Sequence, residues 1–339
     1  MSITIHGTIA PGFDAVADAF EANFASGNEI GAAFALYRHG EKLIDIHGGH
    51  ADRKRERDWQ ADTLIPVFST GKAITALVAA YAVDQGWLSY DTPLASLWPE
   101  FAAEGKEAVT FAQALSHQAG LPGIREEMEP GDWFDRDLIE ARLAAMAPMW
   151  PLGEGSGYHP ITFGFLADAA IRRAEPQGRT VGQLLKDLIA GPRGIDVWIG
   201  LPEAEHGRAG EHVLPPRAPH LGKINAAKEA AFLKPWSSPG RRGAAEWRAA
   251  EFPAANTHAT ARGLAELMAV FATGGLLRGE RLISEAVVKE AMAIRVEGED
   301  RVLPFDIEKL SRIAGRRPSA TIIRAAVLAS ASRSSEARR

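Results

Sequence analysis

Ser69, Thr70, Gly71 and Lys72 stand together at the start of the apolar run "AITALVAAYAV". Residues three apart share a face of a helix, so a helix beginning here places Ser69 beside Lys72. Two readings fit. In the first, the hydroxyl only caps the helix and the lysine is a surface charge. In the second, Ser69 is a nucleophile. The orphan N–H groups and positive end of the helix would stabilise negative charge developing near it. A lysine walled by apolar residues would be held neutral by desolvation and could take the serine proton. A chain of this size holds about one S-x-x-K by average composition, so the spacing alone does not decide. Other candidate chemistry is thinner. His39, His47 and His50 lie on or near one hairpin without an accompanying carboxylate motif, so no metal site and no cofactor are expected. "GEGSG" at 153–157 lacks the strand–helix context of a dinucleotide fingerprint. Trp150, Trp133 and Trp236 are candidates either for an acyl pocket or for the core.

The elements that must position Ser69 and Lys72 can be traced along the chain. Phe13, Val16, Ala17, Phe20 and Phe24 form one helical stripe. Two β-rich runs, Ala32–Arg38 and Lys42–Gly48, flank "HGEK" and predict a hairpin. Asp52–Asp58 ("DRKRERD") reads as a solvated mixed-charge loop. "DTLIPVF" is extended chain leading into the Ser69 helix, which should end near Gly86. "VTFAQALSHQAGLPG" (Val109–Gly123) predicts a Thr-capped short helix and a Gly/Pro turn. Residues Leu201–Pro253 are rich in Pro, Gly and charge and read as irregular. "NTHATARGLAELMAVFATGG" predicts a helix capped near Thr257 or Thr260 and closed by Gly274–Gly275.

The chain has 339 residues, 46% hydrophobic and 24% charged, with a net charge of −5. That is globular composition, and its slight acidity gives no reason to expect a nucleic-acid or membrane partner. The absence of cysteine rules out disulfides and thiolate metal sites. "MSITIHGTIAPGF" shows no secretory leader, and the apolar run Ala73–Val83 is too short for a bilayer, so a cytoplasmic location is expected.

Four segments taken in order resemble the serine hydrolases of the class C β-lactamase and penicillin-binding-protein-like superfamily. Their nearest likeness is to the β-lactamase-fold carboxylesterases of family VIII type. The segments are "PVFSTGKAITALVAAYAVDQGWLSYDTPLASLWPEF", "VTFAQALSHQAGLPG", "WPLGEGSGYHPITFGFLADAAIRR" and "EFPAANTHATARGLAELMAVFATGG", and the resemblance spans roughly Gly31–Ile294. It implies an α/β (α+β) fold, an antiparallel sheet flanked by helices plus a mostly helical region. One serine-hydrolase domain would cover 1–307, with the sheet region at about 1–66 and 255–307 and the helical region at about 67–254. By the same resemblance Ser69 is the acylated nucleophile, Lys72 its activator and Tyr158 a second base that can exist partly as phenolate. Phe68, Trp150 and His159 stand on the substrate side, with His159 read as packing rather than as a base. The implied reaction is hydrolysis of a small carboxylic ester through an acyl-serine. β-Lactam or D-amino-acid peptide hydrolysis is the alternative, and a non-catalytic relative the rival. The implied partner is a small-molecule ester, and the oligomeric state is not set by the sequence.

Two departures from the family qualify this. Class C β-lactamases carry Asn two residues after the tyrosine, whereas Pro160 stands here and offers no side-chain amide. The family's third box, K-T-G, H-x-G or W-G-G, does not occur in the Ala/Arg/Ser-rich segment 308–339. The expectation is a reading frame or gene end altered near Ile307, which leaves the oxyanion hole short of one donor.

Overall fold

The computed structural model describes residues 3–27, 29–212 and 221–303. The predicted hairpin is formed by β2 (Gly31–Arg38) and β3 (Glu41–Gly49), with Arg38 opposite Glu41. Only His39 and Gly40 remain to turn the chain, both at positive φ (52° and 81°). That is the type I′ geometry, whose twist matches the flanking strands. A third strand, β1 (Ile5–Ile9), adds to the far edge of β3, giving the order β1-β3-β2. The sequence reading assigned no strand there. Gly7 sits at φ 113°, and a Cβ on it would stand 1.9 Å from the Asp45 carbonyl oxygen, so the pairing depends on a residue that also weakens the strand signal. The predicted Phe stripe lies on α1 (Asp14–Ala25), which buries Phe20 and Phe24 against Leu43, Ile44 and Ile46.

A second, smaller sheet delivers the chain to the serine. β4 (Ile65–Pro66) and β5 (Val197–Trp198) both pair antiparallel with β6 (His258–Ala259). Val67 N–H then donates to the Thr257 carbonyl at 2.8 Å, and the chain turns into α2 (Gly71–Asp84). Every residue of α2 from Gly71 to Ala82 except Tyr81 is buried. A helix apolar all round belongs at the centre of a fold, and α2 lies in the main core with α4 (Arg136–Ala145), α5 (Thr162–Ala174) and α7 (Ala261–Ala272).

Two predicted caps form as stated. Thr110 opens α3 (Phe111–Leu115) with a reciprocal pair: Gln113 N–H donates to Thr110 Oγ1, and Thr110 N–H to Gln113 Oε1. Of the two candidates for α7, Thr260 is the cap, accepting from Gly263 N–H at 3.0 Å. The stretch Leu201–Pro253 holds only short helical turns, such as α6 (Ala245–Ala249), among its described residues. The architecture is thus the expected mixture of antiparallel sheets and helices. Among the described residues no helix is long and apolar enough to cross a membrane. The segment 308–339, and with it the question of the third box, lies outside the described residues.

Candidate active site

Ser69 occupies a single 3₁₀ turn, Phe68–Thr70, ahead of α2 rather than the first turn of the α-helix itself. The cause is Phe68, whose φ of 46° places a bulky residue in the left-handed region. Such a conformation costs on the order of 1–3 kcal/mol and persists only when its surroundings hold it. The Phe68 ring is held by His212 (centroids 4.8 Å apart), Trp247 (6.4 Å) and the Arg242 guanidinium (5.6 Å). Among the described residues no backbone acceptor takes the Ser69 N–H. Gly71 lets the turn approach β6. A Cβ there would lie 2.1 Å from Thr257 Oγ1 and 2.6 Å from Thr257 Cβ.

Lys72, one turn in, is only 1% exposed. Its Nζ lies 3.2 Å from Ser69 Oγ, 2.7 Å from the Pro160 carbonyl and 2.9 Å from the Ala254 carbonyl. No carboxylate pairs with it among the described residues, and burial pushes its pKa well below the usual lysine value. A neutral amine has two N–H donors and one lone pair. With two carbonyls taking the donors, the lone pair is left for Ser69 Oγ. The arrangement can therefore accept the serine proton. Pro160, which supplies no side-chain amide, contributes its carbonyl to this alignment.

Tyr158 Oη is 2.5 Å from Ser69 Oγ, and the Lys72 Nζ lies 4.8 Å from the Tyr158 ring centroid. Burial raises the phenol to about 12; the hydrogen bond to Ser69 works in the opposite direction, and the nearby Asp300 raises it further. The phenol is therefore protonated at neutral pH, which corrects the expectation of a partial phenolate. Asp300 escaped the sequence reading. Its Oδ1 accepts the N–H groups of Tyr158 (3.1 Å), Val302 (2.8 Å) and Leu303 (2.8 Å). The last two form a local Asx-type turn legible in a sequence, whereas the first spans 142 positions.

The structure brings Ser69, Lys72, Tyr158 and Phe68 together. Trp150 is buried in an apolar cluster with Tyr158, Ala227, Ala231 and Val302, so it backs the tyrosine wall. His159 does not line a cleft. It is fully buried, its Nε2 accepts from Leu121 N–H at 3.0 Å, and its Nδ1 lies 2.5 Å from the Gly157 carbonyl. The substrate-side placement of His159 is corrected accordingly, because both ring nitrogens are taken by backbone. Trp133 belongs to the main core and donates its indole N–H to the Trp236 carbonyl. His47 stacks on His6, and among the described residues no group of three or more His, Cys, Asp or Glu side chains is placed to hold a metal ion.

The sequence profile of the Beta-lactamase family matches residues 16–308. Esterase/beta-lactamase LipL of Mycobacterium tuberculosis is 33% identical over 296 residues, spanning 84% of this chain and 68% of LipL. The crystal structure of a penicillin-binding protein homologue from Caulobacter crescentus superposes with a TM-score of 0.86 at 52% identity, covering 89% of this chain and 80% of that one. A family VIII carboxylesterase superposes with a TM-score of 0.82 at 40% identity, covering 88% and 80%. With a profile match over most of its length and relatives that share its fold over nearly nine-tenths of it, the chain belongs to the Beta-lactamase family and is one of its serine hydrolases.

Proposed function

We propose that the protein hydrolyses small carboxylic esters through an acyl-enzyme on Ser69. The observation that carries this reading is the buried Lys72 Nζ, 3.2 Å from Ser69 Oγ with both carbonyl partners already in place. Neutral Lys72 takes the serine proton as Oγ attacks the ester carbonyl, and the Ser69 N–H receives the developing oxyanion. Tyr158, protonated and 2.5 Å from Oγ, hands its proton to the departing alkoxide. The Lys72 ammonium then returns a proton to Tyr158, which restores both groups. In the second half a water attacks the acyl carbon, its proton passes to Lys72, and Ser69 leaves reprotonated.

Esters are favoured over β-lactams on two grounds. LipL carries esterase in its name, and a family VIII carboxylesterase shares the fold. Pro160 supplies no amide donor at the position where class C enzymes carry one. The β-lactam reading remains the second, because LipL's name also includes it. The test measures p-nitrophenyl ester hydrolysis across acyl lengths beside nitrocefin, for the native chain and Ser69→Ala. A fluorophosphonate should label Ser69 stoichiometrically. Folded protein that neither labels nor turns over ester would favour the non-catalytic rival.

A further inference from the structure

We propose that His117 and His159 are positioning residues which, as a neutral pair with one defined proton arrangement, hold the Tyr158 phenol where it can protonate the leaving group. The proposal rests on the reading of Tyr158 as the proton donor. The loops at 117–121 and 157–159 are held by four hydrogen bonds, three between them and one within the second. Gly157 N–H donates to the His117 carbonyl (3.0 Å), His159 N–H to His117 Nδ1 (3.2 Å), Leu121 N–H to His159 Nε2 (3.0 Å), and His159 Nδ1 meets the Gly157 carbonyl (2.5 Å). Tyr158 lies between two residues so clamped, which leaves its backbone no slack. The ring is braced as well. His117 stands edge-on to it with centroids 5.0 Å apart, and His117 in turn stacks on His159 at 5.5 Å. His117 holds φ at 63°, a sparsely populated conformation for a non-glycine residue, and the clamp is what fixes it there.

The partners dictate the protons. A backbone N–H can only donate, so His159 Nε2 must be bare and Nδ1 must carry the hydrogen that reaches the Gly157 carbonyl. His117 Nδ1 accepts from His159 N–H, so its hydrogen is on Nε2. A second proton on either ring would confront a backbone N–H. The titratable group facing the pair is Lys72, whose ammonium form would also oppose protonation. Burial foremost, with Lys72, holds both rings below the usual histidine range, His159 down to about 3.

Packing alone and positioning of the phenol make different predictions. An alkyl ester needs its alkoxide protonated as it leaves, whereas p-nitrophenolate leaves unaided. Misplacing Tyr158 should therefore penalise the first and spare the second. The experiment compares kcat/KM for ethyl and p-nitrophenyl esters of the same acid in the native chain, Tyr158→Phe, His159→Leu and His159→Gln, with active sites counted by fluorophosphonate titration. Tyr158→Phe and His159→Leu should each lose at least about tenfold more on the ethyl ester than on the p-nitrophenyl ester, the scale of general acid catalysis. His159→Gln, which keeps an acceptor within reach of Leu121 N–H, should recover part of that difference. If Tyr158→Phe is selective but His159→Leu loses both substrates equally per titrated site, the histidine is packing only and the proposal falls. If Tyr158→Phe is itself unselective, the donor role of Tyr158 falls and takes the proposal with it. If His159→Leu yields no titratable protein, the Gln variant decides by the same ratio.

Discussion

Gly71→Ala tests how closely the serine turn must approach β6. The new methyl would stand 2.1 Å from Thr257 Oγ1 and 2.6 Å from Thr257 Cβ, against an ordinary contact of 3.4 Å or more. Rotating the threonine moves Oγ1 but not Cβ, and Thr257 is fully buried beside β6. The start of α2 must therefore retreat by about 0.8 Å, the difference between 3.4 and 2.6 Å. Overpacking of this kind costs about 1–3 kcal/mol. The larger effect is on geometry. Ser69 and Lys72 ride on the displaced turn while Tyr158, Pro160 and Ala254 do not, and a displacement near 1 Å costs on the order of 10²-fold in rate. The assay is kcat/KM on a short p-nitrophenyl ester with a thermal melt beside it, for Gly71→Ala and for Gly71→Ala combined with Thr257→Gly, which removes the opposing Cβ. The single variant should lose most activity, and the double variant should regain a substantial part. Native activity in Gly71→Ala, or no recovery in the double variant while its melt recovers, would refute the claim that this contact sets the serine's position.

Lys72→Arg should be as inactive as Lys72→Ala, because a guanidinium stays protonated and cannot act as a base; ester turnover by the Arg variant measures this. The pH profile of kcat/KM should rise through the depressed Lys72 pKa, since its base form exists only above that pKa. It should then stay level to about pH 10, near the phenol's unperturbed value, because Tyr158 keeps its proton up to about 12. A decline between about pH 8 and 10 with the fold intact would contradict that assignment. The same lysine makes stability pH-dependent. Its folded pKa lies below its unfolded one, so the unfolded chain binds the extra proton and its contribution to stability should increase as pH rises between the two. Asp300→Ala strands three backbone N–H groups, and each buried unpaired group costs about 1–3 kcal/mol; a lowered melting temperature together with reduced kcat is expected. Short acyl esters should be cleaved far faster than nitrocefin, and equal kcat/KM values would overturn the ester preference.

The parts of this molecule that repeat locally were legible. The α1 stripe, the β2–β3 hairpin, the Thr110 box and the closing glycines of α7 are each set by neighbours a few positions apart, so residue type and period reveal them. Ser69 and Lys72 belong to the same class, three positions apart where a 3₁₀ turn runs into α2. Tyr158 was reached only through its motif, since nothing in its own neighbours says that it meets a serine 89 positions away. Asp300 and the carbonyls of Pro160 and Ala254 were not legible, because a backbone acceptor has no sequence signature and any residue can supply it. The left-handed Phe68 was hidden for a related reason: its strain is sustained by His212, Trp247 and Arg242, which are distant in the chain. His159 shows the opposite failure. Its proximity to Tyr158 in sequence suggested the substrate side, whereas the Leu121 N–H and the Gly157 carbonyl hold its ring inward.

The two carbonyls that grip Lys72 come from residues 88 and 182 positions downstream. During synthesis the ribosome releases Ser69 and Lys72 long before either carbonyl exists. A nascent chain ending ahead of Ala254 lacks one of the two partners that aim the amine, and one ending ahead of Tyr158 lacks the phenol as well. Its serine is then an ordinary alcohol beside an ordinary solvated ammonium. On the proposed mechanism, fragments that end before these residues carry Ser69 without the partners that would make it reactive.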